Sequence, residues 1–227
     1  MPSKASVPAT TAPKTSSEVD RGAALMDWLQ VNSRILGGAA AVVAIAAAGY
    51  WFYLRSQQIK VVNAERSLNQ AEQSLQSGNT ALATSDLQRV ISRYSGTPAG
   101  TEAAMLLAQT DYSAGKYQEG IKALESMAPR AGLSEANIRS LIGDGYAQLG
   151  KNADAAKAYE GAAQATEFAN EKAYYRAKAA RSYTSAGDLA QAKKLWSELA
   201  SSEKPSAVSA EARVRLAELD AKPASKS

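Results

Sequence analysis

The sequence predicts an all-α protein with a single N-terminal transmembrane helix, followed by an α-solenoid of about four helical hairpins and a C-terminal capping helix. Three observations lead to this prediction. Residues 35–54 form an apolar run without a charge, glycines recur at intervals of 35 to 37 residues, and the chain lacks both cysteine and histidine. The first observation indicates a membrane helix, the second a repeat, and the third restricts the chemistry of any site.

The apolar run at residues 35–54 has the length of a membrane span. Its 20 residues, at about 1.5 Å each in a helix, cover roughly 30 Å, the thickness of a bilayer hydrocarbon core. Four aromatic residues at 50–53 close the run at the depth where headgroups favour such rings. The alternative is a cleaved signal peptide, because "AIAAAG" offers the small residues that a signal peptidase requires. The 34 residues before the run and the aromatics after it favour an anchor.

Small residues recur at four-residue spacing within the apolar run, and such tracks allow another membrane helix to approach closely. They predict a helix-packing surface formed by two tracks: Gly37 and Ala41, and Ala40, Ala44 and Ala48.

The segments that flank the two predicted domains are polar. Residues 1–20 are rich in Pro, Ser, Thr and Ala, and we expect them to be a disordered tail because they cannot bury enough apolar surface. Residues 21–34 form a juxtamembrane segment with the pattern of a short interfacial helix. Residues 221–227 are expected to form a second disordered tail.

The repeat is defined by four glycines with similar neighbours: Gly78, Gly115, Gly150 and Gly187. A small residue lies seven positions before each: Ala71, Ala108, Gly143 and Ala180. Another lies five positions after each: Ala83, Gly120, Ala155 and Ala192. A large apolar or aromatic residue lies nine positions after each: Leu87, Leu124, Tyr159 and Trp196.

This register predicts helix–turn–helix units. A glycine can take the positive φ that ends a helix, and small residues let the two helices of a hairpin approach closely. Units of roughly 34 residues with this pattern are typical of tetratricopeptide repeats. We therefore assign a solenoid to residues 55–220, with repeats at about 64–97, 101–134, 136–169 and 173–205 and a cap at 206–220.

The composition argues against catalysis. Without cysteine or histidine, the chain cannot form disulfides, thiol nucleophiles, zinc sites of the usual kind or triads built around histidine. It contains neither a GxxxxGK[ST] nor a GxGxxG loop, so we predict no enzyme activity and no cofactor. The net charge of +4 comes from basic and acidic residues that alternate along the chain, which does not indicate a nucleic-acid partner.

A solenoid of this type binds partners on the surface lined by the first helix of each hairpin. The register places five candidate partner-binding residues there: Gln109, Tyr112, Asp144, Tyr174 and Arg181. Four other aromatic residues fall on inward positions and are expected to be core: Tyr146, Tyr159, Tyr183 and Trp196. The basic and asparagine clamp by which some tetratricopeptide domains hold chaperone C-termini is not carried over. Its positions here hold Met105, Gln109, Ser140, Asp144, Ala177 and Arg181.

The block "DWLQVNSRILGGAAAVVAIAAAGYWFYLRSQQ", with Trp28, Asn32 and Arg34 leading into the glycine-led span, resembles a known family when it is followed by such repeats. It resembles the ancillary subunit of the bacterial SecYEG translocon. The resemblance covers roughly residues 18–220. It implies a single-span inner-membrane protein with a periplasmic tetratricopeptide-like domain, whose partners are the translocon and periplasmic chaperones or exported polypeptides.

Two questions stay open at this level. Near the span, Arg21 and Arg34 precede it while Arg55, Lys60 and Arg66 follow it, which leans by one residue towards a cytoplasmic repeat domain. The resemblance implies the opposite orientation, with the amino terminus in the cytoplasm. The chain is then either a membrane-anchored helper of protein export or a structural scaffold that assembles another membrane complex.

Overall fold

The computed structural model describes residues 26–202 and 205–221. All regular secondary structure in these ranges is helical, which confirms the all-α prediction. The predicted tail at residues 1–20, the start of the juxtamembrane segment at 21–25 and the end of the C-terminal tail at 222–227 lie outside the described residues. The chain divides into two compact units, Met1–Gln57 and Gln58–Ser227.

The first unit contains helical turns at residues 26–31 and the first part of helix α1, which spans Ser33–Gln76. The side chains of residues 35–54 are almost all exposed, including the aromatic ones. By length and composition α1 can cross a membrane, and it is the one such helix in the described part of the chain. A Cβ added at Gly37 would meet nothing within 4 Å, so the small-residue tracks are open to another helix and their packing role stays a prediction.

The second unit is a stack of helical hairpins to which α1 contributes its residues from Gln58 onward. The further helices are α2 (Thr80–Tyr94), α3 (Pro98–Ser113), α4 (Tyr117–Met127), α5 (Glu135–Gln148), α6 (Asn152–Ala165), α7 (Ala169–Ala186), α8 (Leu189–Ala200) and α9 (Ala207–Ala221). Two short 3₁₀-helices, Ala128–Arg130 and Gly132–Ser134, connect α4 to α5. Consecutive helices from α2 to α9 pack against each other, and their short connections make them antiparallel.

The repeated glycines end the first helix of each hairpin, as predicted. Their φ angles are positive: Gly78 (77°), Gly115 (75°), Gly150 (72°) and Gly187 (83°). At the third turn the N–H of Gly150 donates to the carbonyl of Ala147, and the N–H of Lys151 donates to that of Tyr146. These two capping hydrogen bonds satisfy backbone carbonyl groups that would otherwise lack a partner at the end of the helix.

The core consists mainly of small aliphatic side chains, and a few large aromatic side chains fill the space between them. Trp196, Tyr159 and Tyr183 are buried, and Tyr146 is half-buried against two adjoining clusters. This confirms their predicted core positions. The small residues before each glycine have a visible purpose at Gly143, where an added Cβ would lie 2.6 Å from the Tyr159 ring. Only glycine fits at position 143, because a Cβ closer than 3 Å to the ring would force Tyr159 to move.

Candidate functional site

The candidate site is a depression of about 380 Å³ formed by α3, α5 and α7, the first helices of three hairpins. We call it the groove, and it is lined by Met105, Gln109, Asn137, Ser140, Leu141, Asp144, Tyr174, Tyr175 and Lys178. The spacings within each helix are three, four or seven residues, apart from the adjacent pairs at 140–141 and 174–175. One face of each helix therefore supplies the lining. Three of the five predicted partner-binding residues meet here: Gln109, Asp144 and Tyr174.

An ion pair between α5 and α7 forms the floor of the groove. The Nζ of Lys178 lies 2.7 Å from Oδ1 of Asp144 and donates to Oγ of Ser140 at 3.1 Å. The Lys178 ammonium also lies 4.6 Å from the centre of the Tyr159 ring and 5.6 Å from that of Tyr174. Both rings attract the cation with their negative faces, so Lys178 is held by four neighbours.

Tyr159 of α6 supports this ion pair from below. Its hydroxyl donates to Oδ1 of Asp144 at 2.6 Å. Burial raises the pKa of Tyr159, and the hydrogen bond to Asp144 raises it further, so the phenol stays a donor at every physiological pH. Asp144 thereby accepts from two fixed groups, and its charge is offset by Lys178. The floor of the groove is pre-organised and close to neutral.

The upper walls of the groove carry groups that are available to a ligand. The Tyr175 hydroxyl donates to Oδ1 of Asn137 at 2.8 Å, which leaves the amide nitrogen of Asn137 as a donor. Gln109 is exposed, and no partner of its side-chain amide is seen among the described residues. The ring of Tyr174 is about half-exposed and stands edge-on to Tyr175. Amide groups on α3 and α5 and an aromatic surface on α7 therefore line the same depression.

Tyr112 is placed beneath the groove instead of on its open surface. Its hydroxyl donates to the carbonyl of Leu141 at 3.0 Å, and its ring packs where Gly120 and Gly145 lack a side chain. Burial raises the pKa of Tyr112, which keeps this hydroxyl protonated. The residue joins α3, α4 and α5, and the structure does not bring it to the groove lining.

Arg181 lies in a second depression, of about 700 Å³, between α7, α8 and α9. Its guanidinium donates to both carboxylate oxygens of Glu211 on α9, and the bond from Nε to Oε1 measures 2.8 Å. The hydrogen bond from Arg181 holds the pKa of the Glu211 carboxyl below its usual range, against the opposing effect of burial. Arg181 therefore ties the capping helix to the last hairpin, and it does not line the groove.

The sequence analysis missed Lys178 and Asn137. The clamp register placed Ala177 towards a ligand, but Ala177 is fully buried and Lys178 occupies the groove. The spacing of Tyr174 and Lys178, at i and i+4, is the signal that would have identified this face.

The described residues contain no group of three or more acidic, cysteine or histidine side chains that could hold a metal ion. The groove offers hydrogen bonds and an aromatic surface, and these groups suit binding.

Comparison with known proteins identifies the fold. Residues 26–135 match the family model of the tetratricopeptide repeat-like domain, a range that contains the apolar part of α1 and the hairpins through α4. No curated protein matches the sequence at a significant level.

Among solved structures, the chain is similar to a protein of Podosopora anserina of the kinesin light chain type with nearly identical TPR-like repeats. The identity is 16%, the TM-score is 0.51, and the match covers 68% of this chain and 84% of that one. A single-substitution variant of that protein gives the same values. This likeness concerns the fold alone. The chain thus has the fold of a tetratricopeptide repeat-like α-solenoid, a fold that is typically a non-catalytic scaffold for protein interactions.

Proposed function

We propose that this protein is a membrane-anchored interaction module that holds a segment of a partner protein in the groove. The observation that carries the proposal is the pre-organised floor of Asp144, Lys178 and Tyr159 beneath open amide and aromatic groups. The anchor is the apolar run of residues 35–54, which exposes almost all of its side chains. Exposed apolar surface of this extent requires an apolar environment.

The chemistry of the groove favours an extended, uncharged polypeptide segment. The charges of Asp144 and Lys178 offset each other, so neither an acidic nor a basic ligand finds an unpaired partner among the residues that line the groove. The amides of Gln109 and Asn137 can pair with the peptide groups of an extended chain. Tyr174, on the third helix of the groove, offers a surface for an apolar side chain.

More specifically, we propose that the protein assists protein export. The span would dock to the Sec translocon, and the groove would hold exported polypeptides or periplasmic chaperones. The resemblance of the membrane segment and its flanks to the ancillary translocon subunit supports this, together with a groove suited to unfolded chains. The alternative is a scaffold that uses the same span and solenoid to assemble another membrane complex.

The test is recovery of the full-length protein from native membranes in mild detergent, followed by identification of its partners by mass spectrometry. We compare the wild type with a groove variant that combines Gln109→Ala and Tyr174→Ala. Gln164→Ala with Lys194→Ala is the matched control, because both residues are exposed and line a different depression. Translocon subunits or chaperones that the groove variant loses and the control keeps support the proposal.

Two other results would change it. Stoichiometric recovery of a different membrane complex, with no affinity for unfolded chains, would favour the scaffold. Equal recovery of partners by all three proteins would overturn the groove as the binding surface.

The proposed orientation places the amino terminus in the cytoplasm and the solenoid in the periplasm. Protease added to cells with a permeabilised outer envelope should then digest the solenoid. A protected solenoid under these conditions would place it in the cytoplasm and exclude a role outside the membrane.

A further inference from the structure

The hairpin connections of the second unit lie at two opposite edges, because the helices are antiparallel. The turns within hairpins form one edge, which we call the turn edge: residues 77–79, 114–116, 149–151 and 187–188. The segments between hairpins form the other, which we call the connection edge: residues 95–97, 128–134, 166–168 and 201–202 with 205–206.

Contacts along the stack agree with this division. At the turn edge, Gly150 and Lys151 line a surface with Ser185 and Ala186 at the end of α7. At the connection edge, Ala136 packs with Ala162 and Ala163, and Asn137 bonds to Tyr175.

The chain enters the second unit at the connection edge. The part of α1 in this unit runs from Gln58 towards the turn at 77–79, so its beginning lies at the opposite edge. Ser67 and Gln70 of α1 line a small surface with Arg93 and Tyr94 at the end of α2, which fixes this direction. Residue 54, the last of the apolar run, precedes Gln58 by four residues, at most about 14 Å of extended chain. The second unit therefore begins at its connection edge, four residues after the last residue of the apolar run.

The two edges differ in chemistry. At the turn edge a polar residue follows each glycine: Asn79, Lys116, Lys151 and Asp188. The apolar residues beside these turns, Leu149 and Leu189, are only 38% and 39% exposed. At the connection edge Leu133 is fully exposed, at 102%, and Phe168 is 69% exposed. The larger exposed apolar side chains thus lie at the edge where the chain enters the second unit.

Both apolar residues are presented by ordered backbone. Leu133 follows Gly132, whose φ of +52° directs the chain through a 3₁₀ turn between α4 and α5. The N–H of Phe168 donates to Oγ1 of Thr166 at 3.2 Å, and that hydroxyl donates to Glu171 at 2.7 Å.

Neither side chain belongs to a core cluster of the described residues. Arg93 and Arg130 are exposed at the same edge.

We propose that the connection edge rests on the surface of the bilayer, with Leu133 and Phe168 entering the interface and Arg93 and Arg130 among the phosphate headgroups. Exposed Leu and Phe on a surface that also carries arginine are typical of surfaces that lie in a membrane interface, and anionic lipids attract arginine there. Glu167, next to Phe168, is an exposed acidic residue at the same edge. The inference rests on the proposed membrane anchor and adds a second contact that restricts how the solenoid can turn on its tether.

The absence of cysteine makes a clean test available. Single-cysteine variants Leu133→Cys and Phe168→Cys of the full-length protein are labelled with an environment-sensitive fluorophore. They are reconstituted into vesicles of phosphatidylcholine and phosphatidylglycerol with or without a lipid that carries a quencher in its upper acyl chain. Asn79→Cys and Lys151→Cys at the turn edge are the matched controls. We expect quenching of about twofold at positions 133 and 168 and none at the control positions.

The other outcomes overturn the inference in distinguishable ways. If the protein floats with the vesicles but the labels at 133 and 168 are not quenched, the membrane anchor stands and the contact of the connection edge with the bilayer is wrong. If the protein does not float with the vesicles, both proposals are wrong. Labels at 133 and 168 that leave water without lipid quenching indicate a second protein at this edge, and quenching at all four positions removes its specificity.

Discussion

Alanine occupies opposite environments in the two regions of this molecule. Seven of the 20 residues in the apolar run 35–54 are alanine, and all seven are exposed. In α7 of the solenoid, Ala177, Ala179 and Ala180 are fully buried. In the solenoid, neighbouring helices cover the alanine side chains. In the apolar run, only an external apolar medium such as lipid can cover them. Whether these alanines are buried within the protein depends on the residues that separate them along each helix.

The intervening residues explain this difference. In α7 the alanines alternate with charged residues such as Arg176, Lys178 and Arg181, so the helix has apolar faces for α6 and α8 and a polar face for water. The run 35–54 has no charge on any side. A helix that is apolar all round must be covered by protein or by lipid, and no helix among the described residues covers it.

The largest expected effect is loss of membrane attachment when a charge is placed in the apolar run. Val43→Asp places a carboxylate near the middle of the run, where a charge costs about 3 kcal/mol of insertion free energy. Because the run is alanine-rich and inserts weakly, we expect the variant to be lost from carbonate-washed membranes. Val214→Asp, at an exposed site on α9, is the control and should stay membrane-bound. Retention of both variants would mean that residues 35–54 are not the attachment.

The next effect compares one substitution in both regions. Ala180→Leu inserts three carbon atoms into a fully buried site on α7 and should lower the unfolding free energy by about 1–3 kcal/mol. Ala46→Leu, in the exposed run, should leave the solenoid unchanged and strengthen membrane insertion. Thermal unfolding of the full-length proteins in mild detergent measures both. Equal stability of the two variants would contradict the close packing assigned to α7.

The sequence predicts the solenoid well because its signals are local. A glycine that ends a helix acts within four residues, so Gly78, Gly115, Gly150 and Gly187 identify the turns without knowledge of the tertiary structure. The candidate site is less predictable. One residue along α7 is a rotation of about 100°, and this step separates buried Ala177 from Lys178 in the groove.

Contacts between hairpins are the other part that the sequence does not reveal. Tyr112 falls on a groove position by register, yet its hydroxyl reaches the carbonyl of Leu141 in the next hairpin. Tyr159 was assigned to the core correctly, but its bond to Asp144 also supports the site. These bonds depend on how far one hairpin is offset from the next, which a periodic pattern does not determine.

A smaller effect tests this offset. Gly145→Ala places a Cβ about 2.7 Å from Cγ1 of Ile121 and against the Tyr112 hydroxyl. We expect a net loss of about 1–2 kcal/mol, because the overpacking exceeds the gain in helix propensity. Gly161→Ala is the matched control. Its Cβ meets only the flexible side chain of Arg139 at 3.3 Å, so this variant should be neutral or slightly stabilised. Chemical denaturation of both variants distinguishes the two sites, and a stabilised Gly145→Ala would show that hairpins two and three can separate there.

The smallest effect concerns the charged surface that the solenoid has and the apolar run lacks. The hydrogen bond from Arg181 holds the pKa of the Glu211 carboxyl below its usual value of about 4.3. The stabilisation from this carboxylate is therefore fully present above pH 4.5 and is lost as the pH falls through the lower folded-state pKa. We expect the wild type to lose about 1 kcal/mol more unfolding free energy than Glu211→Gln between pH 7 and pH 3.

Glu218→Gln provides the comparison for this titration, since Glu218 pairs with Arg215 within α9 and does not reach α7. Hydrogen exchange of the α9 amides shows whether the loss lies at the cap. If Glu211→Gln and the wild type lose stability in parallel as the pH falls, the pair with Arg181 does not hold α9 on the last hairpin. The apolar contacts of Ala212 and Leu219 would then attach the cap without help from charge, as lipid alone would hold the apolar run.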